Sequence, residues 1–144
     1  MRKLISAPRE TKFTKQHKGV LQNFDFKKTS NTAYFGVYGI QILKSFRLTI
    51  KQVELIRRHI SKYLAKNETF WFRIIPDIPV SKKPNEIRMG KGKGMIEFFA
   101  LRVKSGQVLV EFSYVSSAKA KIIYLMLKKK LPVPCNLVLH QKKI

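Results

Sequence analysis

Between Asn85 and Phe99 the chain reads NEIRMGKGKGMIEFF, which sets Arg88, Lys91 and Lys93 among Gly90, Gly92 and Gly94 before turning abruptly apolar. Cations on a segment stripped of side-chain bulk suit a polyanion. Glycine permits positive φ and close backbone approach, while the cationic side chains reach phosphates on either side. Lys82 and Lys83 extend the positive surface. The spacing satisfies none of the established phosphate motifs. A P-loop requires Ser or Thr where Met95 stands. The third glycine of the dinucleotide fingerprint would also fall on Met95, in a loop leading to a strand rather than a helix. Gly36-Val-Tyr-Gly39 matches the GxxG of a KH domain in spelling alone, since its middle residues are apolar and no helix pair surrounds it.

Other chemistry is sparse. The eight acids stand far apart, and His17, His59 and His140 show no metal-ligand spacing. Cys135, the one cysteine, excludes an intramolecular disulfide framework and a cysteine-based zinc site, and behind Pro134 it reads as a small buried apolar group. No enzyme activity, cofactor or metal is expected. Phe70, Trp71, Phe72, Phe98, Phe99 and Phe112 are candidates for base stacking, but they lie in runs that must also supply the core, so packing is the expected role.

The whole chain carries the same bias as the loop. Of its 144 residues, 30 are Lys or Arg and 8 are Asp or Glu, giving a formal charge of +22 beside an ordinary 44% hydrophobic content. Such self-repulsion on a chain able to form a core is most simply offset by a polyanionic partner, and nucleic acid rewards distributed cations through counterion release. An anionic membrane surface is the weaker alternative, because neither expected helix joins a broad basic face to an exposed aromatic edge. No apolar run is long enough for a membrane span, and the N-terminus has no signal-peptide core.

These groups must be positioned by elements. Residues 1–30 are basic and lack hydrophobic periodicity, so they read as an extension that orders on its partner, with residues 31–144 as a single domain. AYFGVYGIQIL, from Ala33, predicts a strand whose glycines mark a bulge or close approach. Thr49 followed by Gln52 forms a capping-box signature for a helix over about 50–66, with Val53, Ile56, Ile60, Tyr63 and Leu64 on one face and Lys51, Arg57, Arg58 and Lys62 on the other. A strand is expected over 69–75 and a long structured loop over 76–94. MIEFFALRV and QVLVEFSYV about Ser105-Gly106 predict a β-hairpin. A serine-capped helix over about 117–130 ends before Pro132 and Pro134, and NLVLH predicts a last strand. The sum is an α+β domain, with a mostly antiparallel sheet and two helices packed on it.

TKFTKQHKG at 11–19, FRLTIKQVELIRR at 46–58 and WFRIIPDIPVSKKPNEIRMGKGKG at 71–94 together resemble the ribosomal protein sixteen family of the large subunit. The R-M-G-x-G-K-G signature falls on Arg88, Met89, Gly90, Gly92, Lys93 and Gly94, and the resemblance runs from about Pro8 to the C-terminal strand. It implies a hammerhead-like α+β domain bound to large-subunit rRNA among neighbouring ribosomal proteins, helping form the A-site tRNA environment, with the loop directed toward the peptidyl-transferase region. The RNA, not the protein, performs the chemistry there. By position, Lys12, Lys15, His17 and Lys18 belong to an RNA-bound arm; Arg47, Arg57, Arg58, Lys82 and Lys83 are further rRNA-binding candidates; and Arg88, Met89, Gly90, Lys91, Gly92, Lys93 and Gly94 form the loop toward tRNA. Three departures limit the transfer. VLQNFDF follows His17-Lys18-Gly19 in place of arginines and glycines, KSFR replaces Gly-Arg-Gly-Arg and keeps only Arg47, and Glu10 stands where a basic residue is common.

Lysine outnumbers arginine 22 to 8, a bias of AT-rich coding, and only about seven residues precede the resemblance. Both point to synthesis within an organelle, and the divergence to a mitochondrion ahead of a plastid or an AT-rich bacterium. A free-standing RNA-binding or assembly factor with the same domain is the alternative function.

Overall fold

A computed structural model describes residues 8, 10–19 and 33–139; much of the expected N-terminal extension, with VLQNFDF, and His140 lie outside the described residues. The elements run β1 (Tyr38–Ile42), β2 (Phe46–Thr49), α1 (Ile50–Tyr63), β3 (Thr69–Phe72), β4 (Ile78–Lys82), β5 (Met95–Val103), β6 (Val108–Ser113), α2 (Ser117–Lys130) and β7 (Cys135–Leu139). They form two antiparallel sheets, one of four strands in the order β3-β6-β1-β7 and one of three in the order β2-β5-β4. The α+β class with two helices is as the sequence predicts. The division into two sheets is not.

That division overturns the expected hairpin. β5 and β6 are consecutive but belong to different sheets, because the chain changes sheet through the turn between them. The turn is tied to the equivalent crossing from β1 to β2. The Gly106 N–H donates to the Ile42 carbonyl at 2.7 Å, the Ile42 N–H to the Gln107 carbonyl at 3.0 Å, and the Ser105 N–H to the Ser45 hydroxyl at 3.1 Å. Gly106 takes φ 82°, a conformation that a side chain disfavours. The hairpin in this part of the chain is instead β4–β5, whose register runs from Ile78 opposite Ala100 to Lys82 opposite Met95. Residues 78–82, expected as loop, are therefore strand. Pro79 lies in it because β4 is a sheet edge, where a missing N–H leaves no ladder bond unmade.

Local signals elsewhere hold with shifted ends. Thr49 and Gln52 form the complete capping box, and α1 stops at Tyr63 rather than 66, where Leu64 turns extended. Ser116 caps α2, and Leu131 leaves it before the prolines. The first strand starts at Tyr38 rather than Ala33, and β3 ends at Phe72 rather than 75. Of the bulge or close approach expected at the glycines, the close approach occurs at Gly36, while the irregularity in the pairing leaves its extra residue, Leu109, on β6. The β1/β6 register shifts between Ile40 and Gln41, and a Cβ on Gly36 would lie 2.3 Å from the Phe112 carbonyl oxygen.

A single cluster of buried side chains draws on both sheets and both helices, including Ile40, Ile42, Leu48, Val53, Ile56, Ile60, Leu101, Phe112, Ile123 and Leu127. β1 and β6 are interior strands of their sheet, so β6 is buried along its whole length, including Glu111. Of the six aromatics expected in the core, only Phe112 is fully enclosed; Trp71, on edge strand β3, is half-buried.

Candidate nucleic-acid interface

The antiparallel pairing of β4 with β5 fixes both ends of the glycine-lysine loop and projects it from the end of the hairpin, beyond the Lys82–Met95 pair. Within the loop, Gly90 and Gly92 adopt φ 100° and 80°, and Lys91 between them φ 55°. No other group lies within 4 Å of where a Cβ would sit on Gly90 or Gly92, so these glycines serve backbone conformation. Gly94 differs: a Cβ there would meet the Lys82 carbonyl oxygen at 2.6 Å, so it lets the loop close against β4. Arg88, Met89, Lys91 and Lys93 are all exposed, and Met89 is fully so. The Lys83 ammonium folds back to donate to the Gly90 carbonyl, bracing the loop from inside.

The arm and the loop, remote in sequence, meet. The Lys15 ammonium donates to the Lys93 carbonyl at 2.7 Å, and the Lys93 ammonium donates to the Gln16 carbonyl. Farther along the arm, the Arg47 guanidinium on β2 donates to the carbonyls of Lys18 and Gly19. A Cβ on Gly19 would lie 3.5 Å from the Arg102 guanidinium, which places Arg102, opposite Arg47 in the β2/β5 register, beside the same segment. The arm therefore runs from the loop to β2 along one side of the three-stranded sheet. It brings Lys12, Lys15, His17 and Lys18, all exposed, onto a surface shared with Arg47, Lys82, Lys83 and the loop. Arg102 belongs to this group. Its place among alternating residues of MIEFFALRV, between buried Leu101 and Val103, was the available signal for an outward cation.

Two expected residues form a separate arrangement. Arg57 grips Glu54 through both carboxylate oxygens at 2.8 and 2.7 Å, and the Arg58 Nε donates to the same carboxylate at 3.1 Å. The Arg57 hydrogen bonds, against the opposing effect of desolvation and reinforced by Arg58, hold the Glu54 carboxyl down at about 2. Arg57 is thereby committed to the helix surface, with 16% of its side chain exposed, whereas Arg58 retains 74% and remains presented to a partner.

The sequence reading missed Glu111. Its Oε2 accepts the successive N–H groups of Tyr34, Phe35 and Gly36 at 2.9, 2.6 and 3.0 Å. Its Oε1 lies 2.9 Å from the Arg73 Nη1, outside hydrogen-bonding geometry, as an ion pair. Alternation along β6 correctly puts Glu111 on the face opposite core residues Val110 and Phe112. Nothing in the sequence indicates that residues 34–36 cover that face.

Among the described residues no cluster of His, Cys, Asp and Glu could hold a metal, and no helix is long and apolar enough to cross a membrane. What the geometry offers is a cationic surface with backbone-accessible glycines.

The family model for ribosomal protein L16p/L10e matches residues 8–138. The large ribosomal subunit protein uL16 of Maricaulis maris is 42% identical over 131 residues, covering 91% of this chain and 94% of the relative. The proteins of the same name from Rickettsia africae and Rhodospirillum rubrum are each 39% identical over 132 residues, covering 92% of this chain and 96% and 94% of the relatives. With the match spanning the arm, the loop and both sheets, the chain belongs to the ribosomal protein L16p/L10e family and has a structural, non-enzymatic role in the ribosome.

Proposed function

We propose that this protein binds large-subunit rRNA through its arm and β4–β5 loop, and that the loop helps form the A-site tRNA environment near the peptidyl-transferase centre. In this reading residues 1–30 are an RNA-bound extension of the domain formed by residues 31–144. The observation that carries it is the joining of arm and loop by Lys15 and Lys93, which makes one cationic surface of segments 78 residues apart. A glycine-relieved tip beside that surface can approach folded RNA where a bulkier segment could not. Arg88, Lys91 and Lys93 then neutralise phosphates together.

The test is A-site tRNA binding to particles carrying Arg88→Ala, Lys91→Ala and Lys93→Ala together, compared with wild type at equal protein occupancy. Incorporation should persist through the remaining cations while tRNA accommodation weakens. Unchanged tRNA binding and peptide-bond formation would leave the loop as an rRNA anchor alone. Retention on large subunits through a high-salt wash separates a structural component from an assembly factor that departs. For location, the lysine-rich composition favours an organellar ribosome and the departures from the family pattern a mitochondrial one, while the relatives compared above are bacterial. Co-sedimentation with organellar rather than cytosolic ribosomes after fractionation decides between them.

A further inference from the structure

The cationic surface leaves unused a second group of side chains, on the segment 34–36 that covers the Glu111 face of the four-stranded sheet and on the adjoining strand β3. Tyr34 and Phe35 are 60% and 66% exposed, although they sit on backbone fixed by three hydrogen bonds to a fully buried carboxylate. Gly36 locks the same segment against β6, since any side chain there would strike the Phe112 carbonyl. The Phe35 ring stands 6.1 Å from Trp71 at an interplanar angle of 37°, and the Arg73 guanidinium lies 4.7 Å from the centre of the Tyr34 ring. Large aromatics are ordinarily buried or mobile when exposed. Here two are exposed and held, so the entropy of ordering them for a partner is already spent in folding.

We infer that Tyr34, Phe35 and Trp71, with Arg73, form a stacking site for an unpaired RNA base, distinct from the phosphate-binding arm and loop. A ring with an exposed face beside a second aromatic and a guanidinium is the chemistry that holds bases in single strands, and it complements a chain whose charge of +22 already selects polyanions. A protein partner fits less well, because the Arg73 guanidinium lies against the Tyr34 ring and places a cation where a protein interface has its apolar centre. The inference rests on the RNA-binding reading above and adds a base-directed contact to a phosphate-directed one.

Trp71 is the chain's only tryptophan, so its fluorescence reports this site directly. The full chain is titrated with a short single-stranded polyadenylate and with an abasic ribose-phosphate oligomer of equal length, over a salt series. Polyadenylate should quench Trp71 and the abasic oligomer should not. Phe35→Leu, which keeps an apolar side chain and every backbone bond to Glu111, should weaken polyadenylate binding on the order of tenfold. The log-log salt slope should stay unchanged, because no phosphate contact is lost. Equal quenching by the abasic oligomer, or wild-type affinity of Phe35→Leu, overturns the stacking site. Steeply salt-dependent binding without Trp71 quenching also overturns it, and leaves RNA binding by arm and loop intact. Failure of both oligomers to bind at low salt overturns the RNA-binding reading and the stacking site with it.

Discussion

Lys15 and Lys93 hold each other's segments reciprocally: each ammonium donates to a backbone carbonyl of the other segment, Lys15 to Lys93 and Lys93 to Gln16. Neither bond pairs charge with charge, so both cations keep their full attraction for phosphate while fixing the arm beside the loop. These bonds are exposed and worth about 0.5–1.5 kcal/mol each, too little to govern global stability. Lys15→Ala should therefore leave the melting temperature nearly unchanged. Hydrogen exchange across residues 15–19 should accelerate, and tryptic cleavage after Lys18 should quicken. Unaltered exchange would mean that Arg47, through the carbonyls of Lys18 and Gly19, and Lys93, through that of Gln16, hold the arm without Lys15.

What could be read in the sequence was local or carried by a motif. The capping box of Thr49 and Gln52, the Ser116 cap and the glycine-lysine run each specify their structure within a few residues. What could not be read required knowledge of distant partners. The turn after Val103 looks like a hairpin turn until Ile42 takes its peptide groups and the two strands diverge into separate sheets. Pro79 reads as a breaker unless β4 is known to be an edge. Trp71 reads as core for the same reason, since its strand is β-prone but lies at a margin. In the site, the cations were legible and their bonds to one another's backbones were not.

Glu111 gives the sharpest stability test. It is fully buried, accepts three backbone N–H groups and forms an ion pair with Arg73, so truncation removes that ion pair and strands a row of donors. Glu111→Ala should cost about 3–5 kcal/mol, read as a lower denaturant midpoint. Trp71 should become more accessible to acrylamide as residues 34–36 loosen. A loss below about 1 kcal/mol would show that water replaces the carboxylate.

Glu54 sets an acid-side dependence. Its folded carboxyl lies near 2, below its ordinary value of 4.5, because it accepts hydrogen bonds from Arg57 and Arg58. A carboxylate depressed on folding contributes stability that is complete above the ordinary value and is lost as pH falls toward the folded one. The contribution should thus fade between about 4.5 and 2. A carboxyl-carbon NMR titration should place Glu54 near the lower end in the wild type. In Arg57→Ala it should move upward, since the leading hydrogen bond is gone. A titration unchanged by that substitution would assign the depression to Arg58 instead.

The three loop glycines separate two physical demands that the motif alone leaves merged. At Gly92 the site is open but φ is 80°, so Gly92→Ala strains backbone without a clash. It should cost about 1 kcal/mol, the scale of forcing a side chain into the left-handed region. At Gly94 the backbone is not left-handed, and a methyl would sit 2.6 Å from the Lys82 carbonyl oxygen. Gly94→Ala must therefore push the loop away from β4 and disturb the pairing of Lys82 with Met95. Amide exchange at the β4–β5 end should rise strongly in Gly94→Ala and little in Gly92→Ala. RNA affinity should fall in both, in Gly92→Ala through the shape of the tip and in Gly94→Ala through its displacement. Equal exchange in the two variants would mean that the loop does not depend on its closure against Lys82.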